Sequence, residues 1–280
     1  MNKVSRQLET STRSRQWLAV ARQPTLVFIL LLLAVWCVGQ TGHAPPESPR
    51  GVLRLRVKVK TSEAAKGLSG LSRKRFFLIK GSPEQNKILI AAMDQQPLTT
   101  RDCYYTRAGA SPGLITWLKD NDCESVYCRE LSSEDVEGPH AVSEFAGALT
   151  AGEKTFGSRQ LALKWLTVSL PEKLRDGFYR QRQNEIASII KQAEAASGSK
   201  VLSVMTDRNG SAYFTDLEPG SYTLSNLVGT EIGSSVSLWN CDVQMKADDM
   251  ATEKVYTISN RKDKNVKCVA VEKPLAACTP

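Results

Sequence analysis

Seven cysteines and two histidines carry the most specific chemistry in this 280-residue chain. Six of the cysteines, Cys103, Cys123, Cys128, Cys241, Cys268 and Cys278, lie beyond an apolar N-terminal run; Cys37 lies within it. Thiolates at short, regular intervals, or beside histidine, would bind zinc. These spacings match no such pattern and neither histidine is near them, so no metal ligands are expected. An even set of cysteines in an oxidising compartment forms disulfides, and three are expected here. The clustering suggests one bridge within Cys103/Cys123/Cys128 and one within Cys241/Cys268/Cys278. The connectivity stays open.

Catalysis has little to work with. Of the two histidines, His43 lies in a Pro-rich stretch and His140 follows EDVEGP, so a nucleophile–base–acid triad would have to use His140. No G-x-S-x-G elbow, H-E-x-x-H pair or phosphate-cradling glycine loop accompanies it. We therefore expect no catalytic residue and no cofactor; the alternative is a hydrolase with its site near His140. The carboxylate pairs Glu130/Asp135 and Asp248/Asp249 read as solvated loop acids. A Lys–Asn crosslink joining Lys58 or Lys60 to Asn260 would need an inward lysine, and the pattern around those lysines turns them outward.

The compartment follows from the N-terminus. Residues 26–39 (LVFILLLLAVWCVG) lack polar side chains and follow a basic lead, residues 1–24, that holds five cations against Glu9. Residues 25–40 read as a signal peptide or a membrane anchor, and residues 41–50 as a Pro-rich linker. Either way, later residues lie outside the cytoplasm, in the periplasm or at the cell surface, anchored or secreted. The lead carries half of the net charge of +8, so the remainder lacks a nucleic-acid footprint.

The elements that would position these residues fall into two kinds. Residues 51–60 (GVLRLRVKVK) alternate apolar and cationic, a strand with one face on a core. Residues 74–81 (KRFFLIKG) give another strand, with Arg73, Lys74 and Arg75 as solubilising charge at its end. Ser82, Pro83 and Gln85 form a capping box that opens a helix. Residues 98–140 read as a disulfide-pinned excursion. The helical signals that follow place Leu161, Ala162, Trp165 and Leu166 on one face, then a second capping box at Ser169 and Glu172, then a helix ending at Gly198. Of the aromatic residues Tyr104, Tyr105, Trp117, Tyr127, Trp165 and Tyr179, we expect Trp117 and Trp165 to pack the helices onto the sandwich rather than form a recognition surface. The cationic run at residues 175–182 reads as a solvated helix face. Strands resume at residue 200. Asn209-Gly210 fits a type I′ hairpin, Pro219-Gly220 a type II turn, and Asn209-Gly210-Ser211 also has the form of a glycosylation sequon.

These elements predict an α+β chain. Residues 51–81 and 200–272 form one discontinuous β-sandwich, residues 82–199 a helical, disulfide-pinned insertion, and residues 273–280 a tail. Within it Thr206, Asp207, Asn209, Gly210, Phe214, Leu217, Pro219, Gly220, Tyr222 and Leu224 form a T-D-x-N-G-x-x-x-F-x-x-L-x-P-G-x-Y-x-L pattern. It resembles the carboxypeptidase regulatory-like domain. The resemblance implies a seven-stranded prealbumin-like (transthyretin-like) antiparallel sandwich, exported and non-catalytic. The expected role is a binding or accessory protein contacting a protein or glycan through sandwich loops or the insertion. The membrane would be a further partner where the N-terminal segment is retained.

Overall fold

The computed structural model describes residues 50–61, 67–96 and 98–278. The basic lead, the signal or anchor segment, all of the linker except Arg50, and residues 279–280 of the tail lie outside the described residues. Among the described residues no helix is long and apolar enough to cross a membrane.

The chain is α+β, and its organising element is β1 (Gly51–Val59). Its alternation buries Leu53, Leu55, Val57 and Val59 completely, while Arg54 and Lys58 keep contact with water. Burying each such side chain stabilises the fold by about 1.5–3 kcal/mol. β10 (Glu253–Ser259) lies along one edge of β1; β5 (Ser211–Leu217) and the two-residue β2 (Ser69–Gly70) share the other. β11 (Cys268–Val269) extends this sheet beyond β10. A second sheet runs β4 (Leu202–Met205), β3 (Arg75–Lys80), β6 (Gly220–Ser225), β9 (Asn240–Met245). The two sheets share one core, in which β1, Phe214, Leu217 and Ile258 meet Phe76, Leu78, Tyr222, Leu224 and Val243. Trp239 is fully buried there, and its indole donates to the Ser259 carbonyl at 2.8 Å. A third sheet, β12 (Val271–Pro274), β8 (Ser235–Leu238), β7 (Thr230–Ile232), completes the strands.

Residues 82–199 leave and rejoin the same sheet between adjacent strands, since β3 pairs with β4 in the register Leu78–Leu202. The outer face of β3, Phe77 and Ile79, packs against α1 (Lys87–Gln95) and α8 (Gly177–Ser197) through Leu89, Met93 and Ile186. α2 (Arg101–Arg107), α3 (Pro112–Asp120), α4 (Ser133–Val136), α5 (Ser143–Phe156), α6 (Arg159–Lys164) and α7 (Glu172–Arg175) lie between them. With Phe178 of α8 they enclose a core of their own around Tyr105, Leu118, Phe145 and Leu166.

Several expectations change. The described strands number twelve rather than seven, and the sandwich is not wholly antiparallel: β1–β10 and β10–β11 are parallel. A short 3-10 turn, Ala247–Ala251, carries the chain from β9 in one sheet to β10 in the other. Alternation in sequence reports a buried face but not the direction of a partner. Likewise β4 and β5 do not pair across Asn209-Gly210; they belong to different sheets. The Asp207 carboxylate accepts from Asn209 N and Ser211 N, both at 2.8 Å. This closes a turn over residues 207–210 in which only Gly210 has a left-handed backbone, φ 74. Asp216, one residue before the end of β5, has a left-handed backbone (φ 59); Gly220, at φ 151, opens β6 instead of completing a type II turn. The Ser82–Gln85 capping box forms, with Ser82 N donating to Gln85 Oε1 at 2.8 Å, one turn ahead of α1. The helix expected after Ser169 breaks at Asp176 into α7 and α8, and ends at Gly198.

Gly210 packs against backbone on two sides. A Cβ there would lie 2.4 Å from the Val57 carbonyl oxygen and 2.7 Å from Leu71 N. Gly70 faces the same turn, where a Cβ would lie 2.2 Å from the Asn209 oxygen. We expect Gly210→Ala to lower the free energy of unfolding by roughly 2–4 kcal/mol, combining left-handed strain with displaced backbone. Urea denaturation checks it, and a change under about 1 kcal/mol would show that the turn accommodates a methyl group.

Candidate functional site

Two groups of charged residues link the insertion to the sandwich. In the first, Arg101 at the start of α2, Arg182 on α8 and Glu231 on β7 converge. Glu231 Oε1 accepts from the Arg101 backbone N at 2.7 Å and from Arg182 Nη2 at 3.0 Å, while Oε2 lies 3.9 Å from Arg101 Nη2. Arg101 and Glu231 are both 1% exposed. Burial pushes the Glu231 carboxyl up, against the pull of Arg101. The second buried cation, Lys74, lies 3.1 Å from Glu124, and burial pushes its ammonium down. Lys74 is therefore not solubilising charge at a strand end. Such pairs carry a desolvation cost, and removing one partner leaves an uncompensated ion.

Cystines brace the same region. Cys103–Cys278 ties α2 to the C-terminal tail, Cys123–Cys128 closes the loop after α3, and Cys241–Cys268 joins β9 to β11 across the sandwich. The cysteine clusters thus supply one bridge each, and the third spans them.

The second charged group is open to solvent. A cleft of about 510 Å³ lies beside α6, lined by Arg73, Arg129, Lys164 and Arg208, with Tyr127 and the acid Glu130. Arg73 has a left-handed backbone, φ 55. It is held there by its N–H donating to the Thr206 carbonyl at 3.1 Å and by the Tyr179 hydroxyl donating to its own carbonyl at 2.8 Å. Arg129 lies over the Trp117 ring at 4.9 Å and donates to Asp135 Oδ1 at 2.6 Å. Arg208 sits at the tip of the 207–210 turn and pairs with Glu130. Arg73 and Lys164 have no acidic partner among the described residues.

Asp135 organises one wall of this cleft. It also accepts from the Trp117 indole and from Ser132 N, each at 2.7 Å. Burial alone would raise its pKa; the Ser132 N–H, the indole and Arg129 outweigh burial and hold the carboxyl below its ordinary 3.8. Asp135 is thus an anchoring acid and not a solvated one.

The residues singled out in sequence take structural positions. Phe214, Leu217, Tyr222 and Leu224 lie in the shared core, and the Tyr222 hydroxyl donates to the Glu218 carbonyl at 2.9 Å. Thr206 Oγ1 donates to the Leu71 carbonyl at 2.7 Å and accepts from Lys74 N. Asn260 bonds the backbone of Lys60, accepting from its N–H at 2.9 Å and donating to its carbonyl, and not a lysine ammonium. Tyr105 and Trp117 are buried within the insertion's own core, whereas Trp165 is 49% exposed. Neither tryptophan glues the helices to the sandwich. Within the 175–182 run, Arg175 donates to the Val168 carbonyl, Arg180 pairs with Glu172 and Asp176, and Arg182 is turned inward. Gly177 admits the Tyr104 hydroxyl, 1.9 Å from where its Cβ would stand. His140 is exposed between α4 and α5, and among the described residues no hydrogen bond joins it to a serine or threonine hydroxyl.

A larger groove, about 740 Å³, runs between α1 and α8. Its walls, such as Ile88, Ala92 and Ile189, are apolar, and its cation Lys80 is paired with Glu218. It offers apolar area without charge to select a partner. The cationic cleft carries the charge that the groove lacks, and sequence did not reveal it, because its four cations are scattered from position 73 to 208.

No protein-family profile matches the chain, and no curated protein matches it. Among solved structures it is similar to the pilus backbone protein RrgB from Streptococcus pneumoniae, at 10% identity and a TM-score of 0.21. The alignment covers 74% of this chain and 40% of that one. A similarity of this size defines neither fold nor function.

Two outcomes are expected. Glu231→Gln preserves shape but leaves Arg182 without its anion and Arg101 with the half-exposed Asp102 alone, and should destabilise the fold by about 3 kcal/mol in chemical denaturation. A loss below about 1 kcal/mol would mean that solvent reaches the cluster. Asp135 has a depressed folded pKa, so its contribution is present above the unfolded value and lost as pH falls through the folded one. Asp135→Asn should cost about 2 kcal/mol at neutral pH, a deficit that shrinks as pH falls below 3.8 through the folded pKa. A deficit independent of pH would exclude the charge as its source.

Proposed function

We propose that this chain is an exported, non-catalytic binding or accessory module that meets its partner outside the cytoplasm through the helical insertion, on a carboxypeptidase regulatory-like sandwich. The observation that carries this is the mounting of the insertion. It has its own core, starts and ends on neighbouring strands, and is fixed by buried ion pairs and the Cys103–Cys278 bridge. A body held this rigidly presents its outer surface without a large ordering cost on binding. That surface includes a cleft with four cations and one acid, which suits an anionic partner. The three bridges support an oxidising compartment. The resemblance to the regulatory-like domain is supported by the pattern's apolar residues meeting in a core shared by two sheets.

The test uses the full chain recovered from its native compartment. Alkylation before reduction should label at most Cys37, and the intact mass should correspond to three closed bridges. Free thiols among the other six cysteines would overturn the export assignment. A panel of hydrolase substrates, run with wild type and His140→Ala, should show no turnover that the substitution removes. Turnover abolished by that change would replace the module with a hydrolase.

A further inference from the structure

α6 and the 3-10 turn after it, Leu166–Ser169, have three different faces. At about 100° per residue, Ala162 and Leu166 point into the insertion's core, and both are buried. Gln160, Leu163, Lys164 and Thr167 line the cationic cleft. Leu161, Trp165 and Val168, spaced i, i+4, i+7, form the third face and are 46%, 49% and 52% exposed. Periodicity places Leu161 and Trp165 on one face with Ala162 and Leu166; the structure turns the first pair outward. Phe156, at the end of α5, is 42% exposed. Exposed aliphatic and aromatic side chains in a row mark an interaction surface.

The stretch of chain that carries this row holds charge of one sign. Residues 154–171 contain Lys154, Arg159 and Lys164 and no aspartate or glutamate. Arg159 is committed to Glu137 and Glu153, whereas Lys164 stands between the apolar row and the cleft that Arg73, Arg129 and Arg208 complete. A glycan would use the cleft but leave Leu161 and Val168 against water. A protein surface mixes both signs of charge. An anionic bilayer matches both features, presenting phosphates at one depth and an apolar boundary just beneath them.

We propose that this side of the insertion docks on anionic phospholipid bilayers, with headgroup phosphates in the Arg73–Arg129–Lys164–Arg208 cleft and Leu161, Trp165 and Val168 entering the interface. This deepens the binding-module reading and rests on it, assigning its surface to lipid in place of the protein or glycan expected from sequence. Tryptophan is suited to that depth, its ring apolar and its N–H able to meet water or a headgroup.

The experiment reconstitutes the full chain in vesicles of phosphatidylcholine, with or without phosphatidylglycerol, containing brominated lipid. Subtracting the quenching of Trp165→Phe from that of wild type isolates Trp165 from Trp36 in the upstream apolar run, while the phenylalanine keeps the row apolar. Trp165 should be quenched in the anionic vesicles only, and high salt should relieve it. Lys164→Gln with Arg208→Gln should lower the docked-to-undocked ratio about fivefold per cation. Leu161→Ser with Val168→Ser should lower it too. Equal quenching of wild type and Trp165→Phe, or equal quenching of Trp165 in both kinds of vesicle, overturns the proposal. So does a change in Trp165 emission with dextran sulfate in the absence of lipid-dependent quenching, which would assign the cleft to a polysaccharide. Closed bridges without Trp165 quenching would leave the exported module standing and remove only the bilayer; quenching with open thiols would do the reverse.

Discussion

Four side chains of β1 have no contact with water, and the two long strands that flank it come from far along the chain. β5 and β10, which flank β1, begin about 160 and 200 residues later. Apolar burial must therefore outweigh the entropy of closing loops of that length, a cost that grows only slowly with loop size. Two features reduce the problem. The insertion starts and ends on neighbouring strands, so to the sandwich it behaves as one large hairpin loop. Cys241–Cys268 then fixes the late strands across the two sheets, removing disorder from the unfolded chain that folding would otherwise have to overcome.

The ions at the insertion's base have a different task. A cluster of Arg101, Arg182 and Glu231 adds little net stability, because desolvating three charges offsets most of their attraction, and aliphatic side chains of similar volume would hold the region as well or better. Aliphatic contacts, however, tolerate sliding and rotation. Glu231 is paired with both arginines in one placement of α2 and α8 against β7, and a shift of a few ångströms would strand a buried charge. The geometry of the outer surface, including which face of α6 meets solvent, depends on that placement.

What could be read in the sequence was what local physics decides. The alternation in residues 51–60 identified the buried row because a strand has one period and two faces. The Ser82–Gln85 box formed because its two hydrogen bonds need only neighbouring residues. Pairing partners were not legible: the Asn-Gly signal predicts a hairpin, whereas Asp207 closes a local turn and β4 and β5 pair with β3 and β1 in different sheets. α6 was ambiguous for another reason. Leu161/Trp165 and Ala162/Leu166 are two apolar stripes on one short helix, and periodicity cannot say which of them the core takes. The structure buries the smaller pair, because Ala162 lies against Gly152 of α5, where a Cβ on the glycine would come within 3.1 Å of the alanine's. The acid-free run at residues 154–171 was the one sequence signal that pointed to this surface.

The cleft links the sandwich's own turn chemistry to the insertion's surface. Thr206 is fully buried and holds residues 71–74 through backbone bonds, which keeps Arg73 in its left-handed conformation at the cleft wall. One residue on, Asp207 closes the turn that presents Arg208, and Gly210 lets that turn lie against β1. From the other side, Asp135 steers Arg129 and α6 supplies Lys164. Two cations thus come from the sandwich and two from the insertion, and neither body alone would assemble the group. Residues that look purely architectural in sequence, the T-D-x-N-G turn above all, are what set the spacing of the charges, so a change to the turn should alter the cleft without touching a cation.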